Sequence, residues 1–407
     1  MSLQLLAIFT AAGGMGLLAL THNAAAEYFM FSVLVALMLV TYASSRLSTR
    51  ALTLRRETTS RVFENEPLSV HLDVANQGRF PRFLLDLNDS LPEFVQADGE
   101  RDFAVPSLWP GERVSLTYTA RALKRGVYRW DPLQISASDP FGVFQRYLPF
   151  DAPGEAIVYP RPIELRGGLA RSGIETRGQS TGERSRGSES GLDFYGIRDY
   201  WPGDDLRRIH WPATAHHGRL TVIEFDRGAS ENIAVVLDAS EGSEFGVGLD
   251  TSLEVGVRAA ASLAHWSLHS EGVASLAVAF PDGPDCVTVD QAQREHEILE
   301  LLARVQADSD ITPSALLSWA AGRLTSDASI VLITARPDDA LPMVVASLAK
   351  RLLSVSVLLL HAPSFDPRAP DARGAAEELR AAGASVVLLA RNADLGEALS
   401  DVVVRDL

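Results

Sequence analysis

The chain is nearly without cysteine: among 407 residues only Cys286 carries a thiol. An internal disulfide framework is thereby excluded, and with no C-x-x-C pair a thiolate zinc centre is excluded with it. Lysine is almost as scarce, standing only at Lys124 and Lys350, so arginine supplies nearly all the positive charge. With 52 acidic against 37 basic side chains the formal net charge is -15, which excludes the basic surface that neutralising nucleic-acid phosphates requires. No G-x-x-x-x-G-K-[ST] run occurs, so the chain has no P-loop with which to hydrolyse a nucleotide. His296-Glu297 begins like a zinc-protease helix, but Glu300 stands where the second histidine belongs. Gly178-Gln179-Ser180-Thr181-Gly182 spells a nucleophile elbow without the apolar strand and following helix that would hold its serine. His216 and His217 are adjacent in a predicted loop, where neighbouring side chains diverge into solvent.

What is present begins with two apolar runs. Leu3–Leu20 carries no charge, and Tyr28–Ala43, extensible to Ser45, carries none either. Both are of a length to span a bilayer, with Thr21–Glu27 between them too short for a domain, so the pattern predicts a two-helix transmembrane hairpin over residues 1–45. Gly13, Gly14 and Gly16 would let the helices approach closely. Arg46, Arg50, Arg55 and Arg56 follow the second run while the short loop holds only Glu27, so the positive-inside rule puts both termini in the cytoplasm. A competing reading makes Met1–Ala26 a cleaved signal peptide on the strength of Ala24-Ala25-Ala26, though no basic residue precedes its apolar core.

Residues 46–165 change to short alternating runs, Leu68–Ala75, Phe83–Leu87, Val114–Ala120 and Leu133–Ala137, with turn chemistry at Asn76-Gln77-Gly78 and Trp109-Pro110-Gly111-Glu112. This predicts a β-sandwich of immunoglobulin-like architecture without its disulfide. Residues 166–190 are rich in Gly, Ser and Arg and read as a linker. After Asn232 the period alternates as a βα series does, with strands at Ile233–Asp238, Ser275–Phe280, Ser329–Thr334, Val355–Leu360 and Ser385–Leu389 and a short edge strand at Cys286–Val289. Helices fall at Ser252–His269, Ala292–Val305, Pro313–Leu324, Leu341–Leu352, Ala372–Ala382 and Leu395–Val402. The result is a Rossmann-type, mostly parallel sheet, whose ligands bind at strand carboxyl ends; those ends are Asp238–Ser243 and Thr334–Asp339.

Between linker and βα series lies Gly191–Arg227, GLDFYGIRDYWPGDDLRRIHWPATAHHGRLTVIEFDR, dense in aromatic, acidic, basic and imidazole side chains. Tyr200-Trp201-Pro202-Gly203 is a turn signal, and Asp204 or Asp205 can cap a short helix that Pro212 ends at Trp211. Asp204 and Arg208 are one turn apart on that helix. Leu220–Phe225 reads as a strand carrying Glu224 on an apolar face, near enough in sequence to pair beside Ile233–Asp238. One reading makes this stretch a structural lock in which Trp201, Trp211, Tyr195 and Phe194 fill a domain junction and Asp204, Asp205, Arg207, Arg208 and His210 close its ion pairs. The other makes Arg198, Tyr200, Gly203, Asp204, Asp205, Arg208, His210, Trp211 and Glu224 a site that binds a partner or ligand directly. No complete catalytic constellation can be assembled from them.

The run from Gly191 to Trp211 and the strand after it resemble the signature of the bacterial domain-of-unknown-function family 58. Arg125-Gly126-Val127-Tyr128, Asp139-Pro140-Phe141-Gly142-Val143-Phe144 and Val158-Tyr159-Pro160-Arg161 resemble motifs of its β-rich region. The resemblance implies a von Willebrand factor A-like domain over residues 191–407 and a MoxR-type AAA+ ATPase as partner. The implied role is a membrane-anchored adaptor or scaffold, not an enzyme, in assembly, maturation or stress handling of envelope proteins, touching other membrane proteins and lipid. Two alternatives stand beside it: a hydrolase using Asp204, Asp205, His210 and Glu224, and a structural subunit of a membrane complex.

Metal-binding members of the von Willebrand factor A fold carry a D-x-S-x-S run, a distant Thr and a later Asp. Here Asp238, Ser240 and Thr312 match, but Gly242 replaces the second Ser and Ala335 the later Asp, with Arg336 adding positive charge. The expectation is no cofactor and a lapsed Mg²⁺ site. Ser243 or Asp338 moving in, with a partner's acidic residue completing a weak site, is the alternative.

Overall fold

The computed structural model describes residues 3–22, 25–47, 51–139, 144–165, 193–199, 214, 219–226, 232–324, 328–351 and 353–405. These fall into two compact units, residues Met1–Tyr159 and Pro160–Leu407.

The first unit opens with helices α1 (Leu3–His22) and α2 (Ala25–Leu47). Gly16 provides the close approach expected between them, because a Cβ there would lie 3.1 Å from the Phe31 ring. Leu17, Leu20, Phe29, Leu39 and Val40 are exposed on the outside of the helix pair. Ala25–Arg46, 22 residues, is long and apolar enough to cross a membrane; the apolar part of the first helix, Leu6–His22, is shorter.

The rest of this unit is β. One sheet joins β1 (Leu52–Thr58), β3 (Pro67–Asn76), β7 (Arg113–Ala122) and β5 (Val95–Ala97) in that order. A second joins β10 (Gln145–Phe150), β9 (Leu133–Ser138), β4 (Arg82–Asn88) and β6 (Asp102–Leu108). A third, smaller one joins β2 (Arg61–Phe63), β11 (Glu155–Tyr159) and β8 (Gly126–Arg129). Alternate residues of β3, Leu68, Val70, Leu72 and Val74, face Leu85, Leu87, Leu133 and Ile135 in one apolar core, as two-residue periodicity requires. Both anticipated turns form. Buried Asn76 donates from Nδ2 to the carbonyls of Phe80 and Leu108 at 2.9 Å each, and Gly111 takes φ +79°, a conformation that glycine adopts without penalty. Inside the core Arg56 is paired with Asp89, and both side chains are fully buried. Tyr118 donates to the second Asp89 oxygen at 2.7 Å; burial, and then the Asp89 hydrogen bond and charge, push its phenol far above the usual range.

The second unit contains a two-stranded antiparallel ribbon of β12 (Asp193–Asp199) and β13 (Thr221–Asp226). This corrects the sequence expectation that the latter strand pairs beside Ile233. Its partner lies upstream, with Ile197 opposite Ile223 and Gly196 opposite Glu224. Residues 227–231 lie outside the described residues.

The main sheet of the unit runs β16 (Gly283–Val289), β15 (Ala274–Phe280), β14 (Ile233–Leu237), β17 (Ser329–Thr334), β18 (Val355–Leu360) and β19 (Ser385–Leu389). All neighbours are parallel except β16, which returns antiparallel along β15 as the edge. The central strands are buried along their whole length, so they read as unbroken apolar runs and not as alternations. Helices α3 (Ser252–His269), α4 (Glu295–Arg304), α5 (Pro313–Ala321), α6 (Leu341–Lys350) and α7 (Arg373–Ala381) lie in the connections, and α8 (Leu395–Arg405) follows the last strand. Gly256 brings α3 close to the sheet: a Cβ there would lie 3.3 Å from both Leu237 and Ile333. The chain leaves β14 toward β15 on one side and later returns to β17 on the other. That reversal leaves a crevice at the carboxyl ends of β14 and β17.

Candidate functional site

The residues just past β14 and β17 build an oxygen-rich cluster at this crevice. Asp238 continues the ladder, its backbone N–H donating to Ile333 O at 2.9 Å, and the residue is only 4% exposed. A carboxylate so enclosed needs donors. Ser240 gives two to Oδ1, from its backbone N at 3.0 Å and its hydroxyl at 2.7 Å, while Thr334 donates its hydroxyl to Oδ2 at 2.6 Å. Thr334 in turn accepts from the Arg336 backbone N at 3.0 Å, so its hydroxyl is oriented from both sides. Burial raises the Asp238 carboxyl above the ordinary carboxylate range; the Thr334 and Ser240 hydrogen bonds pull it back in part, and the charge of Asp338 adds to the rise.

Asp338, four residues past the end of β17, is held by a second set of donors. Its Oδ1 accepts from the Ser314 backbone N at 3.0 Å and its Oδ2 from the Ser314 hydroxyl. Thr312 caps α5, its hydroxyl receiving the Ala315 N–H at 3.4 Å and lying 3.2 Å from Ser314 Oγ. The loop after β14 is braced from a third side, since Glu241 N donates to Ser309 O at 2.8 Å. Ser243 is buried, and its hydroxyl has no hydrogen-bond partner among the described residues. Of the three expected residues, Asp238 and Ser240 are in direct contact, whereas Thr312 is linked through Ser314 to Asp338 and not to Asp238. Thr334 and Ser314, which complete the two carboxylates, carried no motif. The sole cue was position: Thr334 at a strand's carboxyl end, Ser314 beside a proline that opens a helix.

The cluster offers the hard oxygens that Mg²⁺ favours. Two features oppose a resident ion. Gly242 supplies no hydroxyl and holds φ +79°, and a Cβ on it would lie 2.6 Å from Arg336 Nη1, so a guanidinium charge stands directly beside the loop. The five donors on Asp238 and Asp338 described above come from the protein itself. The residues present do not fit a resident Mg²⁺.

The signature residues divide differently. Arg198 lies in β12 opposite Val222, and Glu224 in β13 opposite Gly196. Tyr200, Gly203, Asp204, Asp205, Arg208, His210 and Trp211 lie outside the described residues, as do Trp201, Arg207, the linker and the His216-His217 pair.

The model of a family described as "Protein of unknown function DUF58" matches residues 196–328, from the ribbon into the α/β sheet. An uncharacterized protein of Bacillus subtilis (strain 168), YeaD, is 22% identical over 217 residues, 52% of this chain. The chain spans about half the length of that relative, 51%. Among solved structures, native alpha-2-macroglobulin from Escherichia coli is 19% identical with a TM-score of 0.21, covering 28% of this chain and 18% of its own. The CARDB domain of PF1109 from Pyrococcus furiosus is 17% identical with a TM-score of 0.19, covering 26% of this chain and 94% of its own. Likenesses at these scores carry no structural argument.

Proposed function

We propose that this chain is a membrane-anchored adaptor whose Rossmann-type, von Willebrand factor A-like domain presents the carboxyl edge of its sheet to a partner protein. The observation that carries the reading is the rim of the crevice. Val247, in the loop after β14, is 87% exposed, and Met343, in the first turn of α6, is 77% exposed. Exposed apolar side chains on the segments that follow β14 and β17, the same segments that carry Asp238 and Asp338, give the mixed surface of a protein interface. They do not give the nucleophile, base and orienting group that catalysis needs. The partner follows from the sequence resemblance: a MoxR-type AAA+ ATPase, whose nucleotide chemistry complements a chain without a P-loop. The two N-terminal helices serve as a hairpin anchor with the bulk of the chain in the cytoplasm, supported by the arginines after α2. Binding at the crevice is independent of divalent metal, a reading supported by the Arg336 guanidinium beside the Gly242 loop.

The test is recovery of the ATPase on the tagged chain from native membranes, with Val247→Asp and Met343→Asp compared with the parent. The expected result is loss of the ATPase in both variants with unchanged melting, and recovery in the parent that persists in EDTA. Equal recovery by the parent and both variants would overturn the assignment of this surface.

A further inference from the structure

The opposite end of α3 carries a second cluster. Helix α3 starts beside the crevice, where Ser252 N donates to Phe245 O at 2.8 Å, and its 18 residues run about 27 Å to the far edge of the sheet. Its last turn holds His265 and His269, four residues apart and therefore on one face. Their rings lie 4.0 Å apart between centroids, tilted by 33°. At the first turn of α4, Glu295 reaches His265 Nδ1 with Oε1 at 2.8 Å.

The hydrogen bonds settle which nitrogens are available. His269 Nδ1 lies 2.8 Å from the carbonyl oxygen of His265. A carbonyl only accepts, so Nδ1 is the donor, and a neutral ring with its proton there keeps a bare lone pair on Nε2. A backbone carbonyl holding the far nitrogen is the support that metal-binding histidines ordinarily receive. At His265 the Glu295 carboxylate lies directly against Nδ1, so an ion that replaces the Nδ1 proton takes that nitrogen and Oε1 together as ligands. One donor atom from each of the three residues falls within a 4.8 Å set. His265 is half-buried and His269 exposed, so an ion held here would be gripped from the protein side and open to solvent on the other.

We infer that His265, His269 and Glu295 form a binding site for a borderline divalent transition ion, Zn²⁺ by preference. Two imidazole nitrogens and a carboxylate oxygen are the ligand types Zn²⁺ takes at about 2.0–2.2 Å, and a fourth position facing solvent remains for water or a ligand from outside. Mg²⁺ and Ca²⁺, which take oxygen ligands, are excluded from a nitrogen-rich set. Separated from the Asp238 crevice by the length of α3, the site is independent of the adaptor reading.

The test uses the full chain in detergent, stripped of metal and titrated with Zn²⁺ by calorimetry and with Co²⁺ by visible absorption. The expected result is one saturable ion, with the intense Co²⁺ bands of tetrahedral coordination. His265→Ala and His269→Ala each raise the Kd tenfold or more, and Glu295→Gln raises it within the same order. His269→Gln, at an exposed position where folding is not at stake, gives the same loss, while Asp238→Asn changes neither stoichiometry nor Kd. Zn²⁺ raises the melting temperature of the parent and not that of His269→Gln. Unsaturable binding, or the parent's stoichiometry and Kd retained in His269→Gln, would overturn the site.

Discussion

Thr334 donates its hydroxyl to Asp238 at 2.6 Å, across two neighbouring parallel strands, at the point where the order of the sheet reverses. The pair closes the floor of the crevice: one carboxylate, too buried to be solvated, is held by a hydroxyl that a backbone N–H aims. Thr334→Val keeps the shape and removes the donor. Loss of a hydrogen bond to a buried charged group is expected to cost about 1.5–3 kcal/mol, measured by urea unfolding. A cost near zero would show Asp238 to be protonated or satisfied by other donors.

The raised Asp238 carboxyl also sets a pH dependence. Because the folded state holds its proton to higher pH than the unfolded chain does, unfolding releases a proton between the two values. Stability from this group is fully present below about pH 3.9 and is lost as pH rises through the folded value. The difference between the parent and Asp238→Asn isolates it from the other carboxylates: relative to the variant, the parent weakens with rising pH and then levels off. A difference that grows with pH would reverse the sign and contradict the assignment of burial as the cause.

Gly242 joins two constraints, a left-handed φ of +79° and the neighbouring Arg336 Nη1 at 2.6 Å from any added Cβ. The guanidinium is the end of a flexible side chain and can move, so the backbone conformation decides the outcome. Gly242→Ala is expected to destabilise by about 1–2 kcal/mol, and Arg336→Ala introduced with it should recover little, as a double-mutant cycle by thermal unfolding would measure.

Close contact of α3 with the sheet makes Gly256 intolerant of size. Gly256→Leu drives a side chain into Leu237, Ile333 and Leu360, whose atoms already stand 3.3–3.4 Å from the Cβ position. Overpacking of this kind is expected to cost about 1–3 kcal/mol in calorimetric melts.

In the sandwich, Arg56 and Asp89 are fully buried partners. Arg56→Ala leaves a carboxylate with only Tyr118 among its side-chain donors described above and should cost about 3–5 kcal/mol, whereas Arg56→Met with Asp89→Leu should recover much of that loss. Calorimetry on the two variants checks it; equal losses would mean the packing around the pair, and not its charge, is what the fold depends on.

The strands and helices of the α/β unit were legible because their signals are local. Ser329–Thr334, Val355–Leu360 and Ser385–Leu389 were bounded to the residue, since buried parallel strands are unbroken apolar runs between turn residues. The sandwich was legible as a class, and β3, β4, β7 and β9 as its strands, but β1, β2, β5, β6, β8, β10 and β11 went unread. Such strands mix charged and apolar residues, as in Leu52–Thr58 with Arg55, Arg56 and Glu57, and acquire their identity from the partner they pair with. Pairing is a tertiary property. For that reason sequence proximity put Leu220–Phe225 beside β14, while the structure pairs the strand with β12.

At the crevice, the sequence determined that Asp238, Ser240 and Thr312 carry the right chemistry and that Gly242 and Ala335 break the pattern. Only the tertiary structure brought Asp338 and Ser314, 24 residues apart, and Thr334 and Asp238, 96 residues apart, into contact. The histidine pair had a readable four-residue spacing, but Glu295, 30 residues from His265, gives it a third donor only through the packing of α4 against α3. Local order follows from side-chain preference and period along the chain. A site follows from which strand ends and helix ends meet, and that depends on burying the apolar faces of the whole unit at once.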